Sequence, residues 1–294
     1  MTGREHRRDR LFETFSAVRR RRIPRWVGWP LLALWTYFVF GYFAESAKFH
    51  PSPYPEGPWD LQPHFAAEDV WLTTSDGIQI HGWRIGAGPD VEWMTLYLHG
   101  NGGNISHRGQ HLAAIRKAGS HLLIIDYRGY GKSNGHPTEA GAYLDADAAY
   151  AYLKDQGYQS DRIILHGESL GTAMAVDLAA RQPCAGVILE APFTSARAVA
   201  AYVLPVIGPL VMSGLETERK IRDVTAPVFV IQGDRDATIP HVLGQQVFEA
   251  ANEPKLLWTI PGAGHNDIVE VAGREYVEHL KQFYAGLNRE LETQ

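Results

Sequence analysis

The sequence predicts an α/β protein: a mostly parallel central sheet with helices on both faces, preceded by one transmembrane helix. Three observations carry this reading. From residue 70 onward, short continuous apolar runs that end in glycine-rich turns alternate with segments of helical periodicity, as expected of strands buried on both faces and joined by crossover helices. The chain of 294 residues is 45% hydrophobic and 21% charged, a composition that builds a sizeable core. One charge-free run of 19 residues near the amino terminus stands outside the alternation.

Composition also excludes alternatives. The 29 glycines and 17 prolines are spread between apolar runs, without the repeat that a solenoid or propeller requires. The single cysteine, Cys184, provides neither an intramolecular disulfide nor a multi-thiolate metal site. The net charge of -5 conceals an asymmetry: residues 1–25 carry nine arginines against Glu5, Asp9 and Glu13, a local +6, which leaves -11 for the remainder. So acidic a body argues against nucleic acid as a partner, because duplex binding draws on Lys and Arg that neutralise phosphates.

Taken in order, residues 1–25 form a basic cytoplasmic tail and Trp26 to Ala44 a membrane-spanning helix. At about 1.5 Å per residue the run spans roughly 28 Å, close to a hydrocarbon core. Trp26, Trp29 and Tyr42 suit interfacial anchoring, and Pro30 sits in the first turns, where a missing N–H costs least. A buried core helix would leave the nine arginines unexplained, and the run is longer and more aromatic than the apolar part of a cleavable signal peptide. The positive-inside rule keeps the arginines cytoplasmic and puts the rest of the chain on the far side, periplasmic or lumenal. Residues 45–65, with Pro51, Pro53, Pro55, Pro58 and Pro63, read as a stiff extended linker, and 66–290 as one α/β domain.

That domain opens with strand-like runs Val70 to Thr74 and Ile78 to Ile85 around Asp76-Gly77, a strong hairpin signal. Six further strands follow at Met94 to Leu98, His121 to Asp126, Arg162 to His166, Ala185 to Leu189, Val228 to Gln232 and Leu256 to Ile260. Helical periodicity marks Glu139 to Lys154, Leu170 to Arg181, Leu243 to Ala251 and Val271 to Leu287. Residues 196–215 are more apolar than an exposed connection requires, and read either as a cap over the site or as an ordinary crossover helix.

In such sheets function sits at the carboxyl ends of strands. Gly167-Glu168-Ser169-Leu170-Gly171 lies between a predicted strand and a predicted helix, which makes it a nucleophile elbow with Ser169 held above the sheet. A hydroxyl is a poor nucleophile until a base removes its proton, so partners are needed, and they follow in the order acid, then histidine. Asp236 follows the strand at 228–232 and His265 the strand at 256–260, giving His265 as base and acid and Asp236 as its orienting group. Asp234, Glu190, His241 and His279 are rivals, with Asp234 better explained as a turn residue. Charge that builds on the substrate oxygen needs N–H donors, available from Asn101 in the turn His99-Gly100-Asn101-Gly102-Gly103 and from Leu170 at the helix start. A phosphate loop is disfavoured, since the turn lacks the Lys-Ser/Thr ending. The i, i+4 pair His107 and His111 lacks the glutamate of a zinc motif, so no metal is expected. Asn104-Ile105-Ser106 is formally a glycosylation sequon but lies within the oxyanion turn, where modification is not expected.

These stretches, with Asp126-Tyr127-Arg128-Gly129-Tyr130-Gly131-Lys132-Ser133 and Leu189-Glu190-Ala191-Pro192-Phe193-Thr194-Ser195, carry a family resemblance. From Glu68 to about Leu287 the chain resembles the α/β-hydrolase-fold serine hydrolases, specifically the membrane-anchored branch that includes the alpha/beta-hydrolase-domain depalmitoylases and their bacterial relatives. The resemblance implies an α/β-hydrolase fold, a triad of Ser169, Asp236 and His265, oxyanion donors at Asn101 and Leu170, and no cofactor. The chain departs from the depalmitoylases in having no cysteine before Cys184. The expected activity is therefore hydrolysis of lipid or small acyl esters through an acyl-enzyme. Thioester and peptide hydrolysis use the same parts, and a catalytically silent binding protein on this fold is the alternative of a different class.

Overall fold

The computed structural model describes residues 48–292. The basic tail at 1–25 and the charge-free run at 26–44 lie outside the described residues. Among the described residues no helix is long and apolar enough to cross a membrane.

The described chain begins with β1 (His50–Pro51) and a short helix, α1 (Leu61–His64). β2 (Glu68–Thr73) and β3 (Gln79–Ile85) pair as an antiparallel hairpin, and β4 (Trp93–Leu98) follows. After β5 (Gly102–Gly103) come α2 (Gly109–Ala118), β6 (Ser120–Ile125), α3 (Glu139–Asp155), β7 (Ile163–Glu168), α4 (Leu170–Ala179) and β8 (Gly186–Glu190). Short helices α5 (Ala196–Val203), α6 (Gly208–Val211) and α7 (Thr217–Lys220) lead to β9 (Val228–Gly233), α8 (His241–Ala250), β10 (Lys255–Ile260), α9 (Ile268–Ala272) and α10 (Arg274–Glu292). Eight strands form one sheet in the order β10-β9-β8-β7-β4-β6-β3-β2, antiparallel only at the β2–β3 and β3–β6 pairs.

The continuous apolar runs are explained by two cores, one on each face. Within β6, Leu123 and Ile125 join the cluster covered by α3, α4 and α8, whereas Leu122 and Ile124 join the cluster covered by α2 and α10. Successive side chains of a strand point to opposite faces, so a strand covered twice must be apolar at every position.

Three elements differ from the sequence reading. The extended linker expected over 45–65 is, across its described part, built into the domain. His50–Pro51 pairs in parallel with Gly102–Gly103, Pro53 bridges Gly131, and Trp59 packs edge-on against Trp83 with ring centres 5.6 Å apart. Proline removes an N–H but leaves its carbonyl, so an extended proline-rich stretch can still accept from a neighbouring chain. Helix α2 carried no clear periodicity, because polar His, Arg and Lys flank its buried Leu112, Ala114, Ile115 and Ala118. The single helix expected at 271–287 is two, interrupted at Gly273 with φ 54°.

The contact that brings the elements of the site together is the approach of α4 to the end of β4. A Cβ on Gly171 would overlap the Leu98 carbonyl oxygen and lie 2.9 Å from that of His99, and one on Gly167 would overlap the Gly171 carbonyl. Backbone cannot yield as a flexible side chain does. Gly171→Ala is expected to cost about 3 kcal/mol, read as a lowered denaturant midpoint, and wild-type stability in this variant would contradict the close approach.

Candidate active site

Strand β7 ends at Glu168, and the chain turns so sharply into α4 that Ser169 takes φ 49° and ψ -113°, a region that side chains rarely occupy. The turn is held by its backbone: Ser169 N–H donates to the Glu190 carbonyl at 2.8 Å, and Thr172 donates to the Ser169 carbonyl through N–H at 3.0 Å and through Oγ1 at 2.6 Å. Although Ser169 is the N-cap, its hydroxyl does not cap the helix. It is left to the histidine.

His265 Nε2 lies 3.0 Å from Ser169 Oγ, and His265 Nδ1 lies 2.6 Å from Asp236 Oδ2. A carboxylate only accepts, so Nδ1 carries the proton and Nε2 presents its lone pair to the Ser169 hydroxyl. Asp236 is fixed in turn, because its Oδ1 accepts the N–H groups of Thr238 at 2.8 Å and Ile239 at 2.7 Å. Three strand ends, β7, β9 and β10, thus contribute one group each to a continuous relay. In such a relay the imidazole can take the hydroxyl proton while the carboxylate steadies the cation.

The rivals are occupied elsewhere. Asp234 accepts the Gly262 N–H at 2.6 Å and so ties the end of β9 to the loop that carries His265, a longer reach than the turn role expected of it. Glu190 accepts from His111 at 2.8 Å and from the Tyr276 hydroxyl at 2.6 Å. His279 stacks on Trp258 at 3.9 Å, and His241 is exposed at the start of α8. His107 and His111 do not converge, since His107 bonds the Asn104 residue and His111 bonds Glu190. Among the described residues no group of three or more His, Cys, Asp or Glu side chains could hold a metal. The Asn104 amide is buried and donates to the Ser52 carbonyl at 3.0 Å and the Glu56 carbonyl at 2.7 Å, which leaves the sequon closed to a glycan.

Leu170 is the first residue of α4, so its N–H has no acceptor within the helix. Asn101 stands in the turn beside Ser169: a Cβ on Gly100 would lie 3.4 Å from that of Ser169. Its side chain is locked by groups that sequence reasoning missed. Asn101 Oδ1 accepts the His50 N–H and the Tyr130 hydroxyl, each at 2.8 Å, and Nδ2 donates to the Lys48 carbonyl at 2.7 Å. No local signal marks Lys48 or His50 for this role, because their partners are some fifty residues away in sequence.

Beneath the serine lies a layer of buried charge. Burial works against the Glu168 carboxylate, yet the Arg108 guanidinium, His111 and the Tyr97 hydroxyl hold its pKa at about 2. Glu190 is likewise held below the usual carboxylate range by His111 against burial, and burial fails to neutralise His111, whose pKa Glu190 raises. His99 and His166 are the opposite case, because burial pushes each down to about 4. Both rings are fully enclosed.

A mostly parallel sheet of this order, with polar groups gathered at its carboxyl edge, defines an α/β hydrolase. The family described as serine aminopeptidase, S33, matches residues 89–213. An uncharacterized protein of Mycobacterium tuberculosis is 38% identical over 226 residues, 74% of this chain and 79% of its own. Human alpha/beta hydrolase domain-containing protein 17B is 35% identical over 221 residues, 74% of this chain and 75% of its own. Among solved structures, the Pyrococcus furiosus esterase Pf2001 shares the fold with TM-score 0.69 at 23% identity, across 80% of this chain and 97% of its own. The chain belongs to the α/β-hydrolase family that includes the alpha/beta hydrolase domain-containing 17 proteins.

The two neutral histidines make acid stability a direct readout of this buried layer. Their folded pKa values of about 4 lie below the unfolded 6.5, so between these pH values the unfolded chain binds protons that the folded one does not, and stability falls as pH drops. Each ring contributes at most about 3 kcal/mol across that window. Thermal midpoints measured from pH 6.5 to 4 should decline, and His166→Leu should make the decline shallower by one proton. An unchanged slope in that variant would mean that His166 is already charged.

Proposed function

We propose that this protein is a serine hydrolase that cleaves carboxylic esters, of lipids or of small acyl groups, through an acyl-enzyme intermediate. The observation that carries the proposal is the unbroken relay Asp236, His265, Ser169, which ends on a hydroxyl raised by a strained turn. His265 takes the Ser169 proton as Oγ attacks the ester carbonyl. The tetrahedral oxygen receives the N–H groups of Asn101 and Leu170. His265 then returns its proton to the departing alcohol, and water, activated by the same imidazole, releases the acid. Nothing in this sequence of steps calls on a cofactor.

The name of the matching family supports a second reading, hydrolysis of a peptide bond near an amino terminus, which the same relay can perform. Thioesters are a third substrate for these steps. Ester cleavage is preferred because structural neighbours named as esterases share the fold; they include the Butyrivibrio proteoclasticus enzyme Est1E, solved with bound ferulic acid.

The proposal includes a single membrane anchor at 26–44, an extracytoplasmic domain and a cap at 196–215. The charge-free run and its nine flanking arginines support the anchor. Exposed Leu204, Ile207 and Leu210, between 55% and 79% accessible, support a cap that meets acyl chains. The chain enters the domain beside the site, since the Lys48 carbonyl holds Asn101 and the Lys48 amine pairs at 3.0 Å with Glu139, whose carboxylate also accepts the N–H of Leu215 at the end of the cap.

Hydrolysis of p-nitrophenyl esters from acetate to palmitate by the full chain in detergent is expected, with kcat reduced about 10⁴-fold or more in Ser169→Ala and similarly in Asp236→Asn. Turnover of aminoacyl p-nitroanilides in place of esters would favour the peptidase reading, and activity that survives Ser169→Ala would refute both. Replacing Leu204, Ile207 and Leu210 by Ser should shift the chain-length optimum, and an unmoved optimum removes the cap. A periplasmic reporter fused after residue 60 should be active; a reporter active only in the cytoplasm would reverse the topology.

A further inference from the structure

Beside Ser169 lies a buried ion pair that the relay does not use. Arg108 Nε stands 3.2 Å from Glu168 Oε2, the two side chains being 14% and 12% exposed. Both groups close on one residue of the oxyanion turn. Glu168 Oε2 accepts the Gly100 N–H at 3.2 Å and is itself held by the Tyr97 hydroxyl at 2.7 Å. Arg108 Nη2 donates to the Gly100 carbonyl oxygen at 3.3 Å and also to the Gly102 carbonyl, and His99 Nδ1 donates to the same Gly100 oxygen at 2.7 Å.

The Gly100 carbonyl and the Asn101 N–H belong to one peptide unit. A trans peptide is planar, with its C=O and N–H pointing in opposite directions. Holding the Gly100 oxygen on the side of Arg108 and His99 therefore turns the Asn101 N–H away from them. A cation on the oxygen also draws density from the nitrogen, which makes that N–H a stronger donor. Fold stability alone gives little reason for the pair, because a buried ion pair is often matched by apolar groups of the same volume.

We propose that Arg108 and Glu168 are positioning residues for the oxyanion hole, clamping Gly100 at its N–H and its carbonyl so that the Asn101 N–H is aimed and polarised before substrate arrives. The inference rests on the reading of Ser169 as nucleophile. It assigns a function to the residue before the elbow serine, which has no part in the relay.

The test uses the full chain in detergent with p-nitrophenyl butyrate, a trifluoromethyl ketone whose serine adduct places its oxygen in the hole, and a fluorophosphonate label. Arg108→Gln alone leaves a buried carboxylate unpaired and risks misfolding, so the decisive variant is the double Arg108→Gln, Glu168→Gln, with Arg108→Lys beside it. The double variant should keep a near wild-type thermal midpoint and a KM within about threefold, while kcat and the affinity for the ketone fall together by about 30-fold. Arg108→Lys should recover only part of the loss, since one ammonium cannot meet Glu168 and the two carbonyls from the separate nitrogens that the guanidinium offers. Wild-type kcat in the double variant, or a kcat loss with unchanged ketone affinity, would overturn the clamp. Failure of the serine reading looks different: fluorophosphonate would then label wild type and Ser169→Ala alike. If the butyrate ester is not turned over, the labelling rate of Ser169 across the same variants decides the question, with an equal rate counting against the clamp.

Discussion

The packing of the helix that begins at Leu170 against the carboxyl end of the strand Trp93–Leu98 is the constraint on which this site depends. No Cβ fits at residue 171, and none fits at 167. The parallel pairing of Leu98 with Gly167 sets the turn after Leu98 alongside the turn after Glu168, and the close helix presses them together until Gly100 and Ser169 nearly touch. The same closeness forces Ser169 into a strained backbone region, a cost of order 1–3 kcal/mol that persists only where neighbours over-determine the geometry. Here they do, through the bonds of Ser169 to the Glu190 carbonyl and of Thr172 to the Ser169 carbonyl.

Electrostatics reinforce the same place. Two buried carboxylates, Glu168 and Glu190, flank the serine, one as its chain neighbour and one through its carbonyl. Each has its own basic partner, Arg108 and His111. Unpaired, either carboxylate would be costly so deep in the protein, and paired, each adds little net stability. The Arg108–Glu168 pair also bonds backbone groups, at Gly100 and Gly102, whereas the Glu190–His111 pair ends on the Tyr276 hydroxyl. His99 and His166 are the neutral complement of this layer, enclosed so fully that the uncharged ring is favoured.

The approach of the chain to the domain is part of the same construction. Residues 48–65 supply a strand to the turn at 100–104, carbonyls to Asn104, and backbone partners to Asn101. A segment of this composition would wander in water. It is ordered here because Trp59 settles on Trp83 and because the turn at 100–104 presents polar groups that need acceptors.

The order of strands and helices, the elbow around Ser169 and the identity of its partners were legible in the sequence, because each rests on short-range physics. A strand covered on both faces must be apolar throughout, a sharp turn needs Gly167 and Gly171, and a strand end followed by Asp236 or His265 marks its own position. Helix Gly109–Ala118 was hidden by its exposed Arg116 and Lys117 and by His111, whose partner Glu190 is distant in sequence. The contacts of Lys48, His50, Arg108 and Glu168 were hidden for a deeper reason. A lysine or an arginine in a polar stretch reads as a solvated charge, and a proline-rich run reads as a linker, until the fold supplies partners from distant parts of the chain. The sequence by itself determined which groups could do chemistry; the tertiary structure alone decided what holds them in place, since holding depends on bonds between residues that the chain keeps far apart and only the packed sheet brings within reach.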